Sequence, residues 1–287
     1  MQEARETSEN NPMGGRQSIG RDTVLCFSLA EKPGTFGSRF HNSLGVMLGL
    51  DLVYMARTTK DLSGAVGGIK AFGIRGCSIS MPFKEAVIPM LDSLDGTAGA
   101  IDSVNTIVNT DGVLVGYNTD YKAVYDLLKE SGVDTSLAFL ISGSGGMAKA
   151  VAAAFRDAGF ANGTILARNE EKGQALAGLY GFKYLQTLPP EGSSPILVNA
   201  TPLGMKGKYP DILSFPDKWV RSSKLVFDVV ASPLETPLLK LARDLGIATI
   251  DGGQVAVIQA LEQFKLYTGC EPTPDQVAQA ASFARNI

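Results

Sequence analysis

The run Ile141-Ser142-Gly143-Ser144-Gly145-Gly146-Met147-Ala148-Lys149-Ala150 follows an apolar stretch and opens an alanine-rich one. In such a run Gly143 permits a tight turn and Gly145 lets the backbone approach a pyrophosphate. Ala148 stands where a small residue packs helix on strand. The first turn of the following helix would offer free N–H groups and a positive dipole end to phosphate. A glycine-rich turn alone is common, but between two βα units it predicts a dinucleotide site. About twenty residues further on, an acidic side chain would hold the ribose of NAD. The chain has Ala167-Arg168-Asn169 there instead. Arg168 suits a bidentate pair with a 2′-phosphate and stacking on adenine. Glu170 and Glu171 weaken that preference and Lys172 partly restores it. NADP is the expected cofactor.

A second group of residues could move protons. Lys84 follows Met81-Pro82-Phe83 after a short apolar run, near an expected helix start. The helix dipole opposes a lysine there, so helix stability does not explain it, and a proton donor and acceptor is the functional reading. Taken alone, the segment fits an exposed lysine with no task better. Three polar clusters change that balance: Ser103-Val104-Asn105-Thr106, Asn118-Thr119-Asp120, and Gln254 with Gln259 after Asp251-Gly252-Gly253. Short polar residues at strand ends collect at one rim of an α/β sheet, where ligands bind.

The elements that would position these residues follow a βα rhythm. Strands are expected at Val24–Leu29, Asp51–Ala56 and Cys77–Ser80, with helices at Ser38–Leu48 and Leu62–Phe72 between them. Val104–Val108 and Val113–Tyr117 flank Asp111-Gly112, a hairpin signal. A helix begins near Asp120 and stops at Gly132. A second series then runs from Leu137–Ser142 to Ile247–Ile250, and Gln254–Tyr267 and Pro274–Arg285 close the chain as helices. The fold class is α/β, with two α/β domains. The boundaries read as a tail over 1–22, one domain over 23–119 plus 253–287, and a Rossmann domain over 120–252.

Composition sets the outer limits. With 45% hydrophobic and 19% charged residues the 287-residue chain is ordinary globular material, and its net charge of −3 gives no broad attraction to nucleic acid or anionic membrane. Cys26, Cys77 and Cys270 lack metal or disulfide spacing and read as reduced, mostly buried thiols. No metal site is expected. His41 is the one histidine, which excludes any two-histidine mechanism. No run is long and apolar enough to span a membrane, and the polar start lacks the apolar centre of a signal peptide, so a cytoplasmic protein is expected. Monomer and homodimer are both open.

The ordered motifs Met81-Pro82-Phe83-Lys84-Glu85, Val104-Asn105-Thr106, Gly116-Tyr117-Asn118-Thr119-Asp120, Gly143 to Ala148, Ala200-Thr201-Pro202-Leu203-Gly204 and Asp251-Gly252-Gly253-Gln254 resemble the shikimate dehydrogenase family. The resemblance runs from about Val24 through the C-terminal helices. It implies an N-terminal substrate domain, a Rossmann NADP domain, and hydride transfer between 3-dehydroshikimate and shikimate or a close cyclic hydroxy acid. It makes Lys84 and Asp120 the catalytic dyad, with Asp120 orienting and supporting the ammonium. Thr35, Ser38, Ser80, Asn105 and Gln259 become substrate-binding residues. Gly143, Ser144, Gly145, Gly146, Met147, Ala148, Arg168 and Asn169 fall on the cofactor side, with Thr201, Pro202, Leu203, Gly204, Val229 and Gly252. The chain departs from the family pattern at four places. A Ser-x-Ser-Pro loop is Thr35-Phe36-Gly37-Ser38, Asn-Val-Thr is Ser78-Ile79-Ser80, Asn-Arg-Thr is Ala167-Arg168-Asn169, and a customary tyrosine is Ala231. These resemble the shikimate dehydrogenase-like group more than the biosynthetic enzyme. Two rival readings are a dehydrogenase of this fold acting on another small hydroxy acid such as quinate, and a non-catalytic NADP-binding sensor. Retention of both Lys84 and Asp120 speaks against the sensor.

Overall fold

A computed structural model describes residues 19–207 and 209–286. The expected tail lies outside the described residues up to position 18, and residues 19–22 are exposed. The chain divides into two compact units. The first gathers the described residues up to Ser93, Thr106–Val115 and those from Ala260 on; the second gathers Leu94–Asn105 and Gly116–Gln259.

In the first unit, β1 (Val24–Leu29), α1 (Phe36–Met47), β2 (Leu52–Arg57), α2 (Leu62–Ala71) and β3 (Gly76–Ile79) realise the expected alternation. A single helical turn, α3 (Phe83–Ala86), carries Lys84, and short β4 (Ser93–Leu94) and, already in the second unit, α4 (Gly96–Gly99) precede the hairpin β5 (Thr106–Thr110) and β6 (Val113–Tyr117). The sheet order is β2-β1-β3-β5-β6-β4. β1 runs parallel to β2 and β3, whereas β3 meets β5 antiparallel. All four residues of β3 are buried, as expected for a strand covered on both faces.

In the second unit, α5 (Thr119–Ser131) leads into β7 (Phe139–Ser142), α6 (Gly146–Asp157), β8 (Gly163–Leu166), α7 (Glu170–Tyr180) and β9 (Lys183–Leu185). Then come β10 (Ile196–Asn199), α8 (Asp217–Arg221), β11 (Leu225–Asp228), α9 (Pro237–Asp244) and β12 (Ala248–Asp251). The order β12-β11-β10-β7-β8-β9 is all parallel. Counted from β7 this is 3-2-1-4-5-6, the doubly wound dinucleotide-binding order, which reverses between β7 and β10. Ligands settle at that reversal, outside the carboxyl ends of the strands. The alanines of α6 are small enough to bring it close onto the sheet, and Ala148, Ala150, Ala152, Ala153 and Ala154 are all buried. Phe139 anchors the core below, 4.5 Å from Phe155 and edge-on to Phe182 at 5.1 Å.

The last two helices, α10 (Gly252–Thr268) and α11 (Pro274–Arg285), close the chain. The Thr273 side chain and Gln276 form a reciprocal capping box at the start of α11. Among the described residues no helix is long and apolar enough to cross a membrane, and no cluster of His, Cys, Asp or Glu could hold a metal ion.

Candidate active site

The turn between β7 and α6 has the shape that its glycines imply. Gly143 sits at φ +128°, a conformation open to glycine and strained for other residues. Its N–H donates to the Leu166 carbonyl at 2.9 Å, and the Ala200 N–H donates to the Ser142 carbonyl at 2.9 Å. A Cβ at Gly143 would stand 2.9 Å from the Ala200 carbonyl oxygen, so the turn and the end of β10 touch backbone to backbone. Ala148 is fully buried beneath it. Gly145 is the N-cap of α6, extended at φ −87° and ψ −176°, exposed, with no side chain capping the first turn. Nothing lies within 4 Å of where its Cβ would be. Uncapped N–H groups, a positive dipole end and an open glycine form a cradle for phosphate, and the site therefore fits a dinucleotide. Ser144, Gly146 and Met147, half-buried, complete the cradle.

Arg168 emerges just past the end of β8, exposed, and makes no hydrogen bond or ion pair among the described residues. Asn169 beside it caps α7, its Oδ1 accepting from the Lys172 N–H at 2.9 Å. The next turn along the rim follows β10. Asn199 Oδ1 accepts from the Thr201 N–H at 3.1 Å and the Thr201 hydroxyl at 2.6 Å, and Asn199 Nδ2 donates to the Leu203 carbonyl at 3.0 Å. Pro202 is exposed, and Gly204 turns the chain at φ +85°. After β11, half-buried Val229 donates its N–H to the Asn199 carbonyl at 3.1 Å. Gly252, at the start of α10, has no room for a side chain because the carbonyls of Val229 and Val230 press on it.

The same unit holds Asp120, Asn105 and Gln259 of the expected substrate side. Asp120 lies in the first turn of α5 with none of its surface exposed. An acidic group there is favoured by the helix dipole. Buried Asn105 accepts from the Thr119 N–H at 2.8 Å and donates to the Thr119 hydroxyl at 3.0 Å. Asn118 caps α5 through the Tyr121 N–H and donates to the Ser103 carbonyl at 2.8 Å. Asn105 and Asp120 are thus built into one polar corner.

Lys84, Ser80, Thr35 and Ser38 belong to the first unit. Lys84 is half-buried in α3, and Ser80, exposed at the end of β3, donates its N–H to the Leu29 carbonyl at 2.9 Å. Thr35 is the exposed N-cap residue of α1, yet its hydroxyl makes no cap bond. Ser38 is half-buried one turn on. Gln259 is half-buried on α10. One turn later Gln263, which the sequence reading passed over, is buried and joins two strands. Its amide donates to the Thr106 hydroxyl at 3.0 Å and its carbonyl accepts from Ser78 at 2.9 Å. Ser78 also lies 2.5 Å from the Tyr54 hydroxyl, and His41 stacks on the Tyr54 ring at 4.2 Å. Burial pushes His41 down to about 3 and Tyr54 up. The three thiols are free, Cys26 and Cys77 in the core as expected.

A doubly wound sheet with a phosphate cradle at its reversal point is the framework of a dinucleotide-binding protein, and exposed Arg168 stands just past its second strand. A family model described as the shikimate dehydrogenase substrate binding domain matches residues 36–107. The shikimate dehydrogenase-like protein of Haemophilus influenzae is 48% identical over 268 residues, 93% of this chain and 98% of that protein. The NADP-dependent shikimate dehydrogenase of Pyrococcus abyssi is 37% identical, covering 81% of this chain and 87% of its own. The solved shikimate 5-dehydrogenase of Thermus thermophilus, in complex with NADP(H) and shikimate, superposes with a TM-score of 0.79 at 29% identity, over 91% of this chain and 99% of that one. The chain belongs to the shikimate dehydrogenase family and is an NADP-dependent enzyme of that type. Its architecture is that of the family, a substrate-binding domain and a Rossmann NADP-binding domain.

Proposed function

We propose that this protein interconverts 3-dehydroshikimate and shikimate, or a close cyclic hydroxy acid, with Lys84 and Asp120 as the proton-handling pair. The observation that carries the reading is the corner around Asp120. A carboxylate with no exposed surface sits beside Asn105 and Thr119, within the motif order of an NADP-dependent family. A carboxylate in the first turn of a helix is favoured by the dipole and can accept a hydrogen bond from an ammonium. Bound NADP supplies or accepts the hydride. In reduction the Lys84 ammonium hydrogen-bonds the reacting carbonyl oxygen and delivers a proton as negative charge develops there; in oxidation it takes the proton back. Asp120 orients and supports that ammonium. Ser80, Asn105 and Gln259 bind ring hydroxyls, while Thr35 or Ser38 supplies donors to the carboxylate. Arg168 meets the 2′-phosphate, and Thr201 to Gly204 lies along the nicotinamide ribose. On this reading residues 23–119 and 253–287 serve the substrate and 120–252 the cofactor.

The test is NADPH formation from shikimate by the wild type and by Lys84→Ala. The substitution should lower kcat by about 10²–10⁴, with KM and thermal stability little changed. Near-normal kcat in Lys84→Ala would reject the assignment. Faster turnover of quinate than of shikimate would reject the substrate.

A further inference from the structure

Two segments leave the carboxyl ends of neighbouring strands in the second unit, Thr201–Gly204 after β10 and residues 229–236 after β11. One carboxylate ties them together. Asp228, the last residue of β11, has no exposed surface. Its Oδ1 accepts from Asn199 Nδ2 at 2.9 Å and from the Val230 N–H at 3.1 Å, and its Oδ2 accepts from the Thr236 hydroxyl at 2.6 Å. Each partner holds something further. Asn199 grips both ends of the Thr201–Leu203 turn. Thr236 caps α9 by accepting from the Leu239 N–H at 3.2 Å. A Cβ on Gly204 would stand 3.2 Å from Thr236 Cβ, so the turn rests directly on this clamp.

We propose that Asp228, acting through Asn199 and Thr236, is a positioning residue that holds the Thr201–Gly204 turn in the shape that receives the nicotinamide half of NADP. The inference rests on the reading that this turn lies along the nicotinamide ribose. Ionised, Asp228 accepts all three hydrogen bonds. Protonated, it must donate one. Oδ1 already faces two N–H donors, so the proton goes to Oδ2, and the Thr236 hydroxyl hydrogen must then find another acceptor. The clamp is intact only with the charge present. Burial pushes Asp228 up to about 6, against the pull of its hydrogen bonds from Thr236, Val230 and Asn199. Asp251 on β12, opposite Asp228 in register, adds to the rise, and Arg243 of α9 holds Asp251 at 3.1 Å and approaches Glu235 at 3.6 Å. From β10 only neutral Asn199 faces the carboxylate.

The experiment measures the NADPH Kd by fluorescence of the bound nucleotide, for wild type and Asp228→Asn, from about pH 5 to about pH 8. Asp228→Asn keeps the shape and loses the acceptor at Oδ2. One hydrogen bond is worth about fivefold in Kd, so Asp228→Asn should bind NADPH about fivefold more weakly at the alkaline end. That ratio should close towards one at the acid end. The 2′-phosphate titrates in the same range, but equally in both proteins, and it cancels in the ratio. Adenosine 2′,5′-bisphosphate, which lacks the nicotinamide half, should bind both proteins alike. Thr236→Val should behave like Asp228→Asn, and Thr236→Ser, which keeps the hydroxyl, like the wild type. A Kd ratio flat in pH, or an equal loss of the bisphosphate, overturns the proposal. Loss of bisphosphate binding in Arg168→Ala separately tests the cofactor reading on which it rests.

Discussion

Gly143 and Gly145 lie two residues apart in one loop, and the structure sends their alanine variants in opposite directions. At Gly145 the backbone is already extended, φ −87° and ψ −176°, which alanine adopts without strain. The new methyl enters open space. Losing a glycine N-cap costs about 0.5–1 kcal/mol, and stiffening the unfolded chain returns about 0.4–1 kcal/mol. Unfolding free energy should therefore stay within about 1 kcal/mol of wild type. Binding should suffer, because the methyl stands in the cradle that phosphate must enter. Each displaced hydrogen bond to a charged group is worth about 1.5–3 kcal/mol, so NADPH should bind about tenfold to a hundredfold more weakly. At Gly143 the order reverses. A side chain at φ +128° costs about 1–3 kcal/mol in backbone strain. Its Cβ, 2.9 Å from the Ala200 carbonyl oxygen, adds about 1–3 kcal/mol of overpacking. Gly143→Ala should lose about 2–6 kcal/mol of a total near 5–15 kcal/mol. Urea unfolding and NADPH titration of both variants make the comparison. A Gly145→Ala protein with wild-type NADPH affinity would refute the cradle, and a Gly143→Ala protein of wild-type stability would refute the strain argument.

Three other outcomes follow from the site. Arg168 is exposed and unpaired among the described residues, so Arg168→Ala should leave stability unchanged. It should weaken NADP by about tenfold to a hundredfold, with NAD little affected, and equal loss for both nucleotides in a binding titration would refute the 2′-phosphate contact. Thr35→Val deletes a hydroxyl that caps nothing and should raise the KM for shikimate at unchanged stability; if only Ser38→Ala raised it, the carboxylate lies one turn along α1. The third concerns pH. Asp228 rises from its ordinary 3.8 to about 6, so the folded protein binds the proton more tightly than the unfolded chain. Stability from this group is therefore highest in acid and falls by about 3 kcal/mol as pH climbs from about 4 to about 6. His41, pushed down by burial to about 3, acts oppositely, its contribution growing as pH rises towards 6.5. The difference between wild type and Asp228→Asn in denaturant unfolding isolates the first slope; parallel curves across that range would contradict it.

The parts of the site that were legible in the sequence are those written in adjacent residues. The cradle from Gly143 to Ala148 is a local pattern between a strand and a helix, and Arg168 follows from its distance to that pattern. The βα rhythm gave most elements to within a residue or two, since their apolar periodicities are strong. β9, three residues at a sheet edge, escaped because so short a run has no period. The polar networks escaped for a different reason. Ser78 and Gln263 are 185 residues apart in sequence, and Asn199 and Asp228 are 29 apart. Nothing in either neighbourhood indicates the partner. Asn169, expected on the cofactor side, has a second task that its position also allows: its Oδ1 caps α7.

Long-range partners also explain how the chain's end completes the unit that carries Lys84 and Ser80. A helix leaves its last carbonyls without N–H partners, and cationic side chains are favoured at that end. Arg75, just before β3, donates through Nε to the Tyr267 carbonyl at 3.0 Å and through a terminal nitrogen to the Leu266 carbonyl at 3.3 Å, finishing α10. The same guanidinium donates at 2.8 Å to the Asn109 carbonyl and to the Thr110 hydroxyl, so one side chain fixes the helix end to the hairpin. Arg39 of α1 treats α11 alike, donating to the carbonyls of Phe283 at 2.8 Å and Asn286 at 3.1 Å with its charge 4.1 Å above the Phe283 ring. That contact gives the half-exposed phenylalanine a partner. Each helix could be recognised from its own residues, but arginines 192 and 244 residues earlier help to fix where it docks. Between them runs the Tyr54–Ser78–Gln263–Thr106 chain of buried hydrogen bonds. A buried polar chain stabilises only when every member is satisfied, so it admits one register of α10 on β3 and β5 and rejects the neighbouring ones. Apolar packing alone would tolerate a slipped helix; this arrangement does not, and β3, which leads directly into Ser80 and Lys84, is held at a defined height as a consequence.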